Sequence, residues 1–381
     1  MSGTRAPAGA AHYRLGRLEF AVEGQDTILP HVAKELAPLR RAEAGGPSLR
    51  FRFGRLDPVR GGVEARPLRV GAEGYEAQLA PIGLAYAWRP DRQLGRADVQ
   101  VHSLGLPTTW RGRLAPTALR RARHWNYLAP DEDVAKNFMY GVFDHLTQVA
   151  GLARGQSYIH ASSFERGGEG VALFARGGVG KTTALLKLVL EDGWHFLSDD
   201  LGLLDRKGTL WRTPKRLQVY AYNTAGQPGM RRALLGRRSW LDRASFAWME
   251  RRRGPQGVRR RVSAESLFGA ERVASQARLR HALFLERADV DRFRWQALPV
   301  EALAERAASI LLHELQPVVD LAAALGSAGV VHLLPRPEEL HRRSAAVLRE
   351  GLRATAPLLL RIPRRAGPDA LADTLREHLA G

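Results

Sequence analysis

Cysteine is missing altogether from the 381 residues. That absence excludes disulfides and thiolate-bound metals, and it fits a reducing compartment. Also missing is any run of about 18–20 uncharged apolar residues, the length a helix needs to cross a bilayer. The opening stretch MSGTRAPAGAAHYRLG lacks the apolar core of a secretory signal. A cytoplasmic chain with no membrane attachment is therefore expected. Acidic residues are few beside basic ones, 39 against 58, which leaves a net charge of +19 with histidine neutral. Such a charge suits an acidic partner, whether a nucleotide, an acidic peptide or a nucleic acid. It equally suits a GC-rich genome that encodes arginine wherever a surface cation will serve. The basic residues spread over the whole chain, and no recognition motif or stacking-aromatic pattern accompanies them. Both features argue against nucleic acid.

What is present is enough for a proper core, since hydrophobic residues make up 45% of the chain. The length suggests about two domains. Residues 1–12 read as disordered. From Tyr13 to about Trp110, segments such as YRLGRLEFAVEG, SLRFRFG, YEAQLA, LAYAWRP and DVQVHSLG alternate apolar and polar residues between Gly, Pro and Asp breaks. That is the pattern of half-buried strands. HVAKELAPL reads as a short helix. Residues 13–125 are thus expected to form a small β-rich N-terminal domain. Residues 126–381 are expected to form a separate α/β domain, because strands there alternate with helices. A helix is expected over 129–152, with Asp131 near its cap and Val134, Phe138, Val142, Leu146 and Val149 at helical spacing. The stretch 223–262 reads as irregular and very basic. A helical run with a break at Pro317, a short strand GVVHLLP, and helices near 337–353 and 368–380 complete the chain.

The informative stretch is VALFARGGVGKTTALLKLVLEDGWHFLSDD, residues 171–200. An apolar strand-like run leads into Ala175, Arg176, Gly177, Gly178, Val179, Gly180, Lys181, Thr182 and Thr183, and then into a leucine-rich helix. This follows the phosphate-binding loop pattern G-x-x-x-x-G-K-[ST], with Ala175 in the first position. Glycines let the backbone wrap a diphosphate without Cβ clashes. Their amides and the helix N-terminus cradle anions. Lys181 is placed to put a point charge on the β- and γ-phosphates, and the Thr182 hydroxyl to ligate Mg²⁺.

WHFLSDD then reads as a strand ending in Asp199 and Asp200. Strand C-termini line the ligand crevice of parallel sheets. One carboxylate is suited to holding Mg²⁺ and the other to accepting a proton from an attacking hydroxyl. Simple nucleotide hydrolases use one acid here, so the pair points to phosphotransfer.

Residues 159–200, IHASSFERGGEGVALFARGGVGKTTALLKLVLEDGWHFLSDD, resemble the C-terminal catalytic domain of the HPr serine kinase/phosphorylases. That family shares its fold with phosphoenolpyruvate carboxykinases. His160 precedes Ala175 by fifteen residues, as the family's histidine precedes its loop, and VSAESLFGAERV at 262–273 is similar to a later family segment. The resemblance covers about residues 155–290. It implies a P-loop, phosphoenolpyruvate carboxykinase-like fold, with ATP and Mg²⁺ bound. It also implies that Lys181 and Thr182 occupy the phosphate and metal positions, that Asp199 is the general base, that Asp200 is the neighbouring acid, and that His160 is catalytic. The chain departs from the family in three places. An Arg-Gly-x-Gly signature is replaced by GVRRRVSAE, Thr183 stands where the family has glutamate, and the first 125 residues are unlike the usual family N-terminal domain. These mark a diverged member.

The leading expectation is an ATP-dependent kinase acting on a serine, or another hydroxyl, of a protein or peptide. Arg251, Arg252, Arg253, Arg259, Arg260 and Arg261 are candidates for a clamp on an acidic peptide or a phosphate, or else belong to a solvated loop. A nucleotide-gated binding module that switches a partner is the alternative, and a nucleic-acid-dependent ATPase is a third reading. The family forms hexamers, so a homo-oligomer is possible.

Overall fold

The structure is a computed structural model that describes residues 10–42, 46–59, 63–65, 67–105, 128–225, 228–236, 238–330 and 332–380. The described residues of Met1–Gln156 and Leu315–Arg343 make one compact unit. Those of Ser157–Glu314 and Ser344–Gly381 make the other. The sequence reading instead ran the second domain unbroken from 126. The helices at 130–153 and the segment from Leu315 belong with the N-terminal strands.

In the first unit, nine described strands form one mixed sheet. They are β1 (Ala11–Leu15), β2 (Leu18–Gly24), β3 (Arg40–Arg41), β4 (Leu49–Phe53), β5 (Val63–Ala65), β6 (Leu68–Gly71), β7 (Gly74–Leu79), β8 (Leu84–Pro90) and β9 (Ala97–Ser103). Their order is β3-β1-β2-β4-β9-β8-β7-β6-β5. Residues 11 and 12 are thus strand rather than disordered, while residues 1–9 and 106–127 lie outside the described residues. α1 (Leu29–Leu36) carries the chain over from β2 to β4, which pair in parallel. One sheet face is covered by α2 (Pro130–Phe138) and α3 (Asp144–Ala153). Phe138 of α2 and Phe143, which ends the π-helical segment Met139–Phe143 between the two helices, pack edge-on or tilted against Phe20, Phe51 and Phe53, with ring centroids 5.1–5.7 Å apart. The expected strand GVVHLLP is not a strand among its described residues. His332 bonds the Ala72 carbonyl instead, and the Leu333 carbonyl accepts from the Trp88 indole.

The second unit is a mixed α/β structure. Its strands are β10 (Gln156–Ile159), β11 (Ala161–Arg166), β12 (Glu169–Phe174), β13 (His195–Ser198), β14 (Gly202–Asp205), β15 (Thr209–Trp211), β16 (Leu217–Tyr220), β17 (Arg259–Val262), β18 (Gln276–Ala288), β19 (Arg294–Ala297) and β20 (Leu358–Pro363). β12, β18 and β20 run parallel, and β11 and β13 extend the sheet antiparallel beyond β12. β12 explains why VALF is continuously apolar. Val171 and Leu173 point into one core with α4 (Lys181–Glu191) and α11 (Pro368–Ala380), while Ala172 and Phe174 point into another on the opposite side. That second core is closed by α8 (Val300–Glu314) and α10 (Pro337–Leu352). A strand covered on both faces needs apolar residues at every position rather than at alternate ones. The α8 helix ends at Glu314, and α9 (Gln316–Ser327) restarts with Pro317 in its first turn, where a missing N–H is harmless.

The basic stretch 223–262 is not irregular. It holds α5 (Pro228–Leu235), α6 (Trp240–Arg253) and β17, which pairs with β16. The α6 helix starts on Ser239, whose hydroxyl accepts from the Asp242 amide. It buries Phe246 and Met249. α7 (Ala264–Phe268) follows β17. Among the described residues, no single helix is long and apolar enough to cross a membrane.

Candidate functional site

β12 ends at Phe174, and the chain turns through 175–180 into α4. Two glycines make that turn possible: Gly178 has φ +79° and Gly180 φ +117°. Both lie in the left-handed region that side-chain-bearing residues avoid. A Cβ placed on Gly177 or Gly178 would meet no atom within 4 Å, so the turn is uncrowded at both exposed positions. At Gly180 a Cβ would meet Leu371 of α11 at 3.2 Å. The first amides of α4 have no carbonyl behind them in the helix, which leaves them available to an anion.

Lys181 is buried, and its ammonium is held on this turn by the carbonyls of Ala175 (2.7 Å) and Arg176 (3.0 Å). Its third contact is His160 Nε2 at 3.1 Å. Burial pulls the lysine down to about 8, against the charges of Asp199, Asp200 and Glu314. Arg176 is exposed and Val179 is half-buried. Thr183 accepts from the Asn223 amide at 2.7 Å, which ties α4 to the turn after β16.

The two aspartates have different surroundings. Asp199 is buried and accepts from Ser162 at 2.5 Å and from the Thr182 hydroxyl at 3.0–3.1 Å on its two oxygens. Burial raises its pKa, and the hydrogen bonds from Ser162 and Thr182 work against that rise. Asp200 has φ +70°. Both aspartates lie just past the end of β13, and the charges of both act on the Lys181 ammonium. Asp200 is about a third exposed and accepts from Lys215 at 3.2 Å. Burial works to raise it, but Lys215, His160 and Lys181 together hold it below the ordinary carboxylate range.

His160 stands between these groups. Its Nδ1 lies 3.7 Å from Asp200 Oδ1 and 3.7 Å from Glu314 Oε1, and that atom is buried without a hydrogen-bond partner. Burial, then the Lys181 charge, lowers its pKa to about 4, so the ring is neutral at physiological pH. Lys181 has only donors, so Nε2 accepts and the neutral ring carries its proton on Nδ1, aimed at the two carboxylates. Glu314 is itself raised, first by burial and then by the charge of Asp200.

Two places suit a cation differently. The atoms of His160, Asp200 and Glu314 lie within 4.8 Å of one another, but the Nδ1 proton would have to leave before that nitrogen could ligate. Thr182 and Asp199 offer oxygens alone beside the glycine turn, which is the donor type of a hard divalent ion. Lys181, Thr182, Asp199, Asp200 and His160 are therefore brought together as expected from the sequence. Ser162, Lys215, Glu314 and Asn223 join them unforeseen. Ser162 had a signal only in its place two residues beyond His160, at the start of β11. Lys215, Asn223 and Glu314 come from distant segments that carry no motif.

The six arginines divide. Arg251, Arg252 and Arg253 are exposed at the end of α6, and exposed Arg259 donates to the Tyr220 hydroxyl at 2.7 Å. Arg260 and Arg261 are buried. The Arg260 guanidinium bonds Asp242 at 2.6 and 2.9 Å and lies 5.0 Å above the Phe246 ring. It braces α6 against β17 and is not a surface clamp. Arg260→Ala is accordingly expected to destabilise the chain by about 3 kcal/mol in urea unfolding. That is the lower end for breaking a buried pair, because Asp242 keeps Arg238. No family model matches the chain, and no curated protein matches it.

Proposed function

We propose that the protein is an ATP-dependent phosphotransferase of the P-loop, HPr-kinase-like kind, which moves the γ-phosphoryl of ATP to a hydroxyl of a protein or peptide. One observation carries this reading. Beside a glycine turn suited to a triphosphate stands a second carboxylate, Asp200, which the Thr182–Asp199 pair does not use. A nucleotide-gated switch would need only the first acid. The resemblance to the HPr kinases in the loop, the acid pair and His160 supports the same reading.

The geometry favours an exchange of roles relative to that resemblance. Thr182 and Asp199 are the pair that would hold magnesium, which when bound neutralises charge on the β- and γ-phosphates. Asp200, more open to solvent and beside His160, would accept the proton of the incoming hydroxyl. The oxygen of that hydroxyl would form the new bond to phosphorus while the bond from phosphorus to the bridging oxygen of ADP breaks. Lys181 would slide from the Ala175 and Arg176 carbonyls onto the phosphate oxygens. His160 Nδ1–H would orient Asp200, with Glu314 on its other side.

The test is incubation of the full chain with γ-labelled ATP, magnesium and host lysate. Label on a protein or peptide, lost in Lys181→Ala, is the expected result. Label released only as free phosphate would favour the switch. Stimulation by DNA or RNA that falls steeply with salt would favour a nucleic-acid-dependent ATPase.

A further inference from the structure

Among the described residues, Trp240, Leu241 and Trp248 of α6 are exposed by 69%, 61% and 40%, and Tyr222 by 40%. Arginines stand between them: Arg243, Arg251, Arg252 and Arg253 are all exposed. The Arg252 guanidinium lies 5.1 Å above the Trp248 ring. The acids of α6 do not balance these charges. Asp242 is bonded by Arg238 and Arg260, and Glu250 by Arg231 at 2.7 Å. The outward side of the helix therefore presents aromatic and cationic groups.

A chain of contacts links this surface to the glycine turn that the phosphotransferase reading uses. The turn that follows α6 is fastened to the Tyr222 turn, because the Tyr222 amide donates to the Pro255 carbonyl at 3.3 Å and the Ala221 amide to Val258 at 2.9 Å. Tyr222 stacks on Tyr220 at 5.4 Å, and Arg259 covers Tyr220 at 5.6 Å. The residue after Tyr222 is Asn223, which bonds Thr183 in the first turn of α4, directly after the glycine turn.

We propose that this surface, from Trp248 and Arg252 to Tyr222 and Arg259, is the docking track for the acceptor, a peptide segment with acidic and aromatic residues on one flank of its reacting hydroxyl. The inference rests on the phosphotransferase reading and names its substrate class. Acidic side chains complement the arginines, and aromatic ones stack on exposed rings and guanidinium planes. Trp240 and Trp248 stand about 12 Å apart along the axis at 1.5 Å per residue, a span that about four extended residues cover. A membrane-lying helix keeps its apolar residues on one side. α6 instead sets Phe246 and Met249 inward and its tryptophans outward among arginines, which suits a peptide better than a bilayer.

The experiment measures fluorescence anisotropy of labelled serine peptides of equal length, with acidic–aromatic, basic–aromatic or alanine flanks. Each is titrated with the full wild-type chain, with Lys181→Ala, with the triple variant Arg251→Glu, Arg252→Glu, Arg253→Glu, and with Trp248→Ala. Circular dichroism establishes that each variant is folded. The acidic–aromatic peptide is expected to bind at least about tenfold more tightly than the basic one. Lys181→Ala should keep that preference, the triple reversal should erase it, and Trp248→Ala should weaken binding by about threefold or more. Equal binding of all three peptides overturns the proposal, as does a preference that the triple reversal leaves intact. So does α6-dependent association with phosphatidylserine vesicles or a single-stranded oligonucleotide in place of the peptides. The two readings fail differently. Docking with no label transfer from γ-labelled ATP would leave the track standing and remove the phosphotransferase. Label transferred equally to all flanks would do the reverse.

Discussion

Lys181→Ala is expected to weaken magnesium-ATP binding by at least about tenfold and to reduce phosphotransfer by about 10²–10³-fold, the scale for removing one preorganised charge from a developing anion. The lysine is buried and makes three polar contacts, two to carbonyls of the glycine turn and one to His160, so it stands beside the turn before any ligand arrives. Its lowered pKa, about 8, adds a signature that a merely structural lysine would lack. Without nucleotide, the ammonium loses its proton as pH climbs through that value. A bound triphosphate supplies opposite charge and draws the proton back. ATP binding above pH 8 should therefore take up a proton, which appears as a buffer-dependent enthalpy in titration calorimetry, and affinity should fall with each further unit of pH. In Lys181→Arg the charge persists at every accessible pH, so the alkaline decline should vanish even where affinity is poor. An unaltered decline in that variant would assign the titration to another group.

The glycine turn before α4 was legible because its residues are contiguous and glycine is what such a turn requires. Gly178 and Gly180 take the positive φ values that only glycine adopts cheaply. Asp199 and Asp200 were legible as a pair, but not which of them bonds Thr182, because adjacent acids read alike in a sequence and only the folded chain sets Asp199 against Thr182 and Asp200 against Lys215. Lys215 and Glu314 reach the site through tertiary folding alone. The first sheet was legible in its alternating strands, yet the parallel pairing of β2, β4 and β9 was not, since such pairing joins distant segments. The α6 helix escaped because apolar residues lie on both its sides. Phe246 and Met249 face in while Trp240 and Trp248 face out, and that arrangement flattens the periodic signal. The same feature that hid the helix is what gives it an exposed aromatic face.

Separate asparagine substitutions at the acid pair should give two distinct defects. Asp200→Asn is expected to lower turnover by about 10²–10⁴-fold, the usual contribution of a positioned base, with the magnesium requirement nearly unchanged. Asp199→Asn should raise the magnesium concentration needed for half-maximal ATP binding by about tenfold or more, because Thr182 would then face a neutral amide. Stability should separate them too. The pKa of Asp199 is raised in the folded chain, so the folded state holds its proton more firmly than the unfolded state. Its contribution to stability is therefore lost as pH rises from the unfolded carboxylate value through the raised one. Asparagine removes that loss, so Asp199→Asn should melt at a higher temperature than wild type at neutral pH while being less active. Asp200 is held low and is already ionised there, so Asp200→Asn gives up a favourable pairing with Lys215 and should melt lower. The pH–rate profile completes the comparison. With His160 neutral down to about 4 and Asp200 below the usual carboxylate range, neither group should give turnover a limb near the ordinary histidine value, and any acid limb above the usual carboxylate range should come from the raised Asp199 and vanish in Asp199→Asn. Full transfer by Asp200→Asn, together with an unchanged magnesium requirement in Asp199→Asn, would return the base to Asp199 and undo the exchange of roles.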